Sequence, residues 1–250
     1  MLLAAVVGLS AAALATHAVD FQAFSLYIIP ACIIPTVAFM LSGIEGQYIY
    51  SILLGLFMMV MIKAGIQTRG TLFENFRLTY TLHYRATHDS LVGLLNREEF
   101  ERRFLLTVPS SRHNIALIFI DLDNFKNLND TFGHHKGDQA LAEFAEVIRS
   151  SIRKDDLCAR LGGDEFTILL LVEQIHDATA VANTIITATK SMEINSAIGK
   201  CKIGCSIGLA YTENNQIAYS SIMKYADKEC YKSKQNGKNQ LSFIEVDQSV

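Results

Sequence analysis

Long apolar runs open the chain, and shorter, mixed periodicities replace them beyond residue 88. Met1–Ala18, Phe21–Leu41 and Tyr48–Ile62 are apolar almost throughout, parted by His17–Asp20 and Gly43–Gln47. A helix needs about 20 apolar residues to cross a bilayer, which the middle run meets comfortably. Pro30 and Pro35 would kink it, as spans tolerate where neighbouring helices satisfy the freed backbone groups. Two alternatives stay open for the first run. It resembles a signal peptide at Ala13-Leu14-Ala15 but lacks a basic n-region, or the chain begins inside a longer membrane region. Residues 1–62 are thus expected to be a membrane segment of two to three helices and 63–87 a helical linker. In the linker Phe73, Phe76, Tyr80 and His83 fall at spacings of three and four. Such a stripe either pairs with a second copy or packs on the domain that follows.

From residue 88 to 250 the pattern is that of an α/β domain. Asp89–Arg97 is a capped turn leading into a helix of about a dozen residues. Asn114–Ile120 is a nearly continuous apolar run, a buried strand ending in Asp121. Phe125–Phe132 and Gln139–Ile152 have helical periodicity and are broken by Gly133 and Gly137. A hairpin follows at 157–171, then a helix over Asp177–Met192, a strand over Cys201–Tyr211, a helix over Ile217–Lys234 and a last strand over Leu241–Val246. The expected architecture is a central, mostly antiparallel sheet with flanking helices.

Charge sharpens the division. The 250 residues carry a net charge of −3 and are 50% hydrophobic, yet the first basic residue is Lys63, so all 22 Lys and Arg lie beyond the apolar runs. Lys63, Arg69, Arg77 and Arg85 follow the last run, which by the positive-inside rule places everything after residue 63 in the cytoplasm. The expected location is a bacterial inner membrane. The cysteines (Cys32, Cys158, Cys201, Cys205, Cys230) are odd in number and lack a C-x-x-C pair, so they read as reduced core thiols. Cys201 and Cys205 on one strand would share a face of the sheet, as packing residues and not as a metal pair.

The candidate chemistry lies in acids where packing does not call for them. Arg160-Leu-Gly-Gly-Asp-Glu-Phe166 places two glycines and two carboxylates, Asp164 and Glu165, at the tip of the hairpin. Alone, such a tip is a solvated turn. Asp121 ends the first buried strand and Asp123 follows; alone, an acid there is a cap or turn residue. Two sources of carboxylate converging at one sheet edge suit hard divalent cations, since Mg²⁺ takes a few carboxylates and fills its shell with water and phosphate oxygens. A pair of such ions activates an attacking hydroxyl and neutralises a leaving pyrophosphate.

Leu161–Phe166, together with Asp121-Leu-Asp-Asn-Phe-Lys-Asn-Leu-Asn-Asp-Thr-Phe-Gly-His134, Gly137-Asp138 and Ala226-Asp227 through Lys234, resembles the GGDEF family, the diguanylate cyclases. The resemblance covers about residues 86–246. It implies a palm-like sheet and the condensation of two GTP into cyclic di-GMP with release of two pyrophosphates, with two Mg²⁺ or Mn²⁺ per site. By the same resemblance Asp121 and Asp164 are the metal ligands, assisted by the Leu122 carbonyl. Asp164 or Glu165 helps deprotonate the ribose 3′-hydroxyl. Gly162 and Gly163 admit the triphosphate, Lys126 neutralises the reacting phosphates, and Lys234 and Lys238 sit near the terminal ones. Asn129 and Asp138 match the guanine readers; without the motif, Asn129 would be a solvent-facing helix residue. Arg153 and Asp156 match the R-x-x-D of a product-inhibition site, although an Arg and an Asp three apart are otherwise a helix-surface ion pair. His134 is a turn residue.

Four positions depart from the family pattern: Val92 for threonine, Lys238 for arginine, and Glu229 and Cys230 for alanine and a larger apolar residue. None removes a metal ligand. The resemblance implies one GTP per site and hence a homodimer, with cyclic di-GMP as product and feedback ligand and no nucleic acid polymer as partner. The competing expectation is a catalytically silent membrane-bound receptor for cyclic di-GMP or GTP. A phosphodiesterase would require a second catalytic domain, for which the sequence ending at Val250 leaves no room.

Overall fold

The computed structural model describes residues 47–196 and 199–246, with scattered positions between 26 and 45. It divides into two units, Met1–His83 and Tyr84–Val250. The expected span over 1–18 lies outside the described residues, as does most of the one over 21–41.

Helix α1 (Gln47–Thr87) is 41 residues long. It contains no proline, so nothing interrupts its backbone ladder, and it has no break at 62/63, where the sequence divides the last apolar run from the linker. By length and composition it is able to cross a membrane. Its large apolar residues Ile49, Ile52, Leu53, Leu56, Met59 and Val60 are exposed.

The second unit opens with a tight turn. The Asp89 carboxylate accepts from the Leu91 and Val92 N–H groups, both at 3.0 Å, and Gly93 supplies the left-handed φ of +65° that closes it. Helix α2 (Arg97–Thr107) follows; the Asn96 side chain caps it by accepting from the Glu99 N–H at 2.9 Å.

The remaining elements are β1 (Asn114–Asp123), α3 (Phe125–Phe132), α4 (His134–Ser151), β2 (Leu157–Gly162), β3 (Glu165–Val172), α5 (Ile175–Lys190), β4 (Glu193–Ser196), β5 (Gly199–Lys202), β6 (Gly204–Thr212), α6 (Tyr219–Gln235) and β7 (Leu241–Glu245). The main sheet has the order β2-β3-β1-β6-β7. Its pairs are antiparallel except β6 with β7, which are parallel and joined through α6, so the sheet is mixed. Strand β1 is central and buried on both faces, the reason its sequence reads as one apolar run. Ala116, Ile118, Ile120 and Leu122 face α4 and α5 through Leu141, Phe144, Ala182 and Ile185. Ile115, Leu117 and Phe119 face α2 and α6 through Phe100, Phe104, Ile222 and Ala226. The period-2 alternation continues to the strand's end, which puts Asp121 and Asp123 on the α6 side.

Three expectations need correction. Gly137 does not break a helix: α4 begins at His134, and Gly137 lies inside it because the Asn129 side chain packs there. A Cβ at residue 137 would stand 1.9 Å from Asn129 Oδ1. The strand expected over Cys201–Tyr211 is divided at Ile203, with β5 pairing only with β4 in a separate two-stranded sheet. Cys201 and Cys205 therefore lie on different strands. The thiols of Cys158, Cys201, Cys205 and Cys230 are all free.

Candidate active site: a carboxylate pair at the end of the central strand

The site is built where β1 ends beside the β2–β3 hairpin. Asp121 stands opposite Glu165 on β3 and opposite Ser206 on β6. Gly162 (φ +146°) and Gly163 (φ +56°) adopt backbone conformations that L-residues rarely hold, and they turn the chain so that Asp164 reaches the β1 terminus. There the Leu122 N–H donates to the Asp164 carbonyl at 3.2 Å, fastening tip to strand.

An open cleft of about 230 Å³ results, and Asp121, Leu122, Lys126, Asp164, Lys234 and Lys238 all line it. Lys234 Nζ lies 2.6 Å from Asp121 Oδ2. Burial raises the Asp121 pKa, and Asp164 and Glu165 nearby add to this, against the Lys234 hydrogen bond. Burial disfavours the Lys234 charge, but the hydrogen bond to Asp121 and its charge outweigh this and raise the Lys234 pKa as well. The two rises have different causes: burial first for Asp121, with the neighbouring acids second, and the Asp121 carboxylate for Lys234. A cleft that draws an ammonium onto a buried carboxylate attracts cations, and its acidic donors are hard oxygens, the type that Mg²⁺ and Mn²⁺ prefer. Among the described residues no group of three or more His, Cys, Asp or Glu side chains is placed to hold a metal. Any ion here would rest on two carboxylates, with water, backbone or phosphate oxygens completing its shell.

Other expected residues lie outside this cleft. Glu165 turns to Arg97 at 3.8 Å. Asn129 on α3 packs against Gly137 of α4, the residue before Asp138, and Asn129 Oδ1 is buried without a hydrogen-bond partner. Arg153 and Asp156 lie in the loop between α4 and β2, where the Asp156 carboxylate accepts from the Arg153 N–H at 2.7 Å. That contact closes a turn and is not the helix-surface ion pair of the simpler reading. It leaves the Arg153 guanidinium exposed and outside any ion pair among the described residues. Burial raises the Asp156 pKa, opposed by that backbone hydrogen bond.

Several residues that shape the site are not assigned roles by the sequence. Arg160 donates from Nε and Nη2 to the Gly163 carbonyl at 2.9 and 2.7 Å and pairs through Nη1 with Asp89 at 3.2 Å. Asp123 is a clamp: it accepts from the Ser206 hydroxyl at 2.8 Å and from the Asn239 N–H at 2.9 Å. Asn124, with φ +60°, turns the chain into α3 and accepts from Lys238 Nζ at 2.7 Å. Gly208 sets the seat of α6, since a Cβ there would meet Ala226 O at 2.0 Å and Cys230 N at 2.1 Å. Burial pushes the Cys230 thiol up to about 12, so it serves as a small apolar residue on the buried face of α6. Glu229 is buried and satisfied, accepting from Lys232 at 2.6 Å and from Ser242 at 2.7 Å. It thereby ties α6 to β7.

The family profile described as "Diguanylate cyclase, GGDEF domain" matches residues 86–240. The chain belongs to the GGDEF family. It is 35% identical over 174 residues to the diguanylate cyclase DgcM of Escherichia coli K12, a match covering 67% of this chain and 41% of that protein. It is 34% identical over 168 residues to the cyclic di-GMP phosphodiesterase PdeB of Shewanella oneidensis, covering 67% of this chain and 20% of that one. The chain thus spans less than half the length of these relatives. Among solved structures it resembles the coiled coil and GGDEF domain of DgcB from Caulobacter crescentus in complex with c-di-GMP. That match has a TM-score of 0.65 at 26% identity and covers 73% of this chain and 99% of that one.

Proposed function

We propose that this chain is a membrane-anchored diguanylate cyclase that condenses two GTP into cyclic di-GMP and two pyrophosphates. The observation that carries the proposal is the convergence of Asp121, from the end of β1, and Asp164, from the β2–β3 turn, in a cleft also lined by Lys126, Lys234 and Lys238.

Asp121 and Asp164, with the Leu122 carbonyl, would hold the Mg²⁺ or Mn²⁺ ions, two per site. When bound, such ions lower the proton affinity of an attacking hydroxyl and offset charge on phosphate oxygens. The chain's own groups do the rest. Gly162 and Gly163 have no side chains to obstruct the triphosphate. Lys126 supplies positive charge beside the reacting phosphate, and Lys238 beside the terminal ones. Lys234, which pairs with Asp121 at 2.6 Å, would add its charge near the terminal phosphates. Asp164 is the better placed of the two hairpin acids to take the 3′-hydroxyl proton, because Glu165 is turned to Arg97. For guanine, the orphaned Asn129 amide oxygen accepts from a base N–H group and Asp138 accepts from the N1–H and 2-amino edge. The exposed Arg153, beside Asp156, would take phosphate or guanine of bound cyclic di-GMP as a product-inhibition site.

The cleft holds one GTP, so two copies must face each other. Helix α1 would supply the contact: Phe73, Phe76 and Tyr80 share its exposed stripe, and the DgcB match includes that protein's coiled coil. The apolar residues before Lys63 would lie in the inner membrane, with the second unit in the cytoplasm.

The test is nucleotide product analysis on the full chain in detergent micelles with GTP and Mg²⁺. Cyclic di-GMP is expected from wild type, with at least a 10²-fold loss in Asp164→Ala, roughly the scale of removing a transition-state charge partner. Arg153→Ala should yield more product at late times. A folded wild-type chain that binds cyclic di-GMP yet makes none would establish the silent receptor instead.

A further inference from the structure

A second cavity, of about 400 Å³, shares Asp123, Asn124 and Lys238 with the carboxylate cleft and is otherwise walled by Lys190, Lys202 and the 237–239 loop. Its charge is one-sided. Lys190 comes from the end of α5, where it also complements the helix dipole. Lys202 ends β5 opposite Glu193 on β4, and both lysines are exposed. The one acid in the wall, Asp123, has both oxygens engaged, by Ser206 and by the Asn239 N–H.

The backbone around this cavity is held in a costly form. Among the described residues, the non-glycine positions with left-handed φ are Asn124 (+60°), Lys238 (+63°) and Asn239 (+52°), and all three line it. Such conformations persist where surrounding contacts over-determine them, and they cluster at binding sites. Here the contacts are visible: the Lys238 N–H donates to Ser233 O at 3.0 Å and Lys238 Nζ to Asn124 Oδ1. Gly204 lets the loop lie flat, since a Cβ there would come within 3.1 Å of the Asn239 side chain. The effect is to fix Lys238 in the wall common to both cavities.

We propose that this cavity is a pyrophosphate subsite, in which Lys190 and Lys202 join Lys238 around a P–O–P group. Lysine binds phosphate as a point charge and needs no directional fork, so three from separate elements suit a compact polyanion. The group is either free pyrophosphate or the terminal pair of a triphosphate whose α-phosphate lies in the carboxylate cleft. The identity of the ligand rests on the cyclase reading; the anion chemistry does not.

The experiment is calorimetric titration of the full chain in micelles with sodium pyrophosphate, alongside KM measurements for GTP. Lys190→Ala and Lys202→Ala should each raise the pyrophosphate Kd about tenfold, the scale of one charge-assisted contact, and Lys202→Arg should recover most of it. If the ligand is the free product, KM for GTP stays within about twofold; if it is the terminal pair, KM rises in step with Kd. An unchanged Kd and KM in the double variant would overturn the subsite, as would an equal effect from Lys228→Ala on the exposed side of α6. Lysine-dependent pyrophosphate binding in a chain that makes no cyclic di-GMP would remove the cyclase reading and leave the subsite standing.

Discussion

The guanidinium of Arg160 reaches the hairpin tip through Gly163 and the opening turn through Asp89, so one planar group holds two backbone segments in register. Asp164 sits one residue beyond the carbonyl that Arg160 grips. Loss of that grip would let the tip drift, and a displacement of about 1 Å at a reacting centre costs on the order of 10² in rate. Arg160→Ala is therefore expected to lower kcat by roughly that factor with KM for GTP changed far less. Arg160→Lys should recover little, because an ammonium cannot donate in the same fork. A wild-type kcat in Arg160→Ala, or a loss no larger than its drop in Tm explains, would reduce Arg160 to a stabilising residue. The acids and glycines of the hairpin are legible in sequence because they are adjacent and conspicuous. The Arg160–Asp89 pair is not, since its members are separated by 71 positions and no periodicity links them.

Helix α6 delivers Lys234 to Asp121, and it does so only because β6 is smooth where they cross. The atoms a Gly208 Cβ would meet are backbone atoms of Ala226, Glu229 and Cys230, none of which can swing aside. Gly208→Ala should destabilise the domain by about 1–3 kcal/mol, the usual cost of overpacking, and shift the denaturation midpoint accordingly. It should also weaken activity by lifting Lys234 from the cleft. Retention of both stability and activity would mean that α6 adjusts without cost. Strand and helix identities were readable from their 2- and 3.6-residue periods, and most fell within a few positions of their observed ends. The division at Ile203 and the helix running through Gly137 were not readable, because each depends on a non-local partner: β4 in one case and the Asn129 side chain in the other.

For the whole molecule, one site per chain and two GTP per product make association part of the proposed mechanism. Specific activity of the full chain in micelles should fall as the protein is diluted through its dimer dissociation range, tracked by light scattering. A specific activity that stays constant in demonstrably monomeric protein would remove the dimer. What the sequence determined by itself was the apolar-to-charged division near residue 63, the α/β pattern, the family, and the residue types needed for phosphate and cation chemistry. These are local or compositional, carried by adjacency and period. Tertiary structure alone decided that Glu165 turns to Arg97, that Asp123 is a clamp, and that Lys190 and Lys202 meet Lys238 around a second cavity. Those outcomes follow from strand pairing and helix seating, which bring together side chains that the linear order keeps far apart.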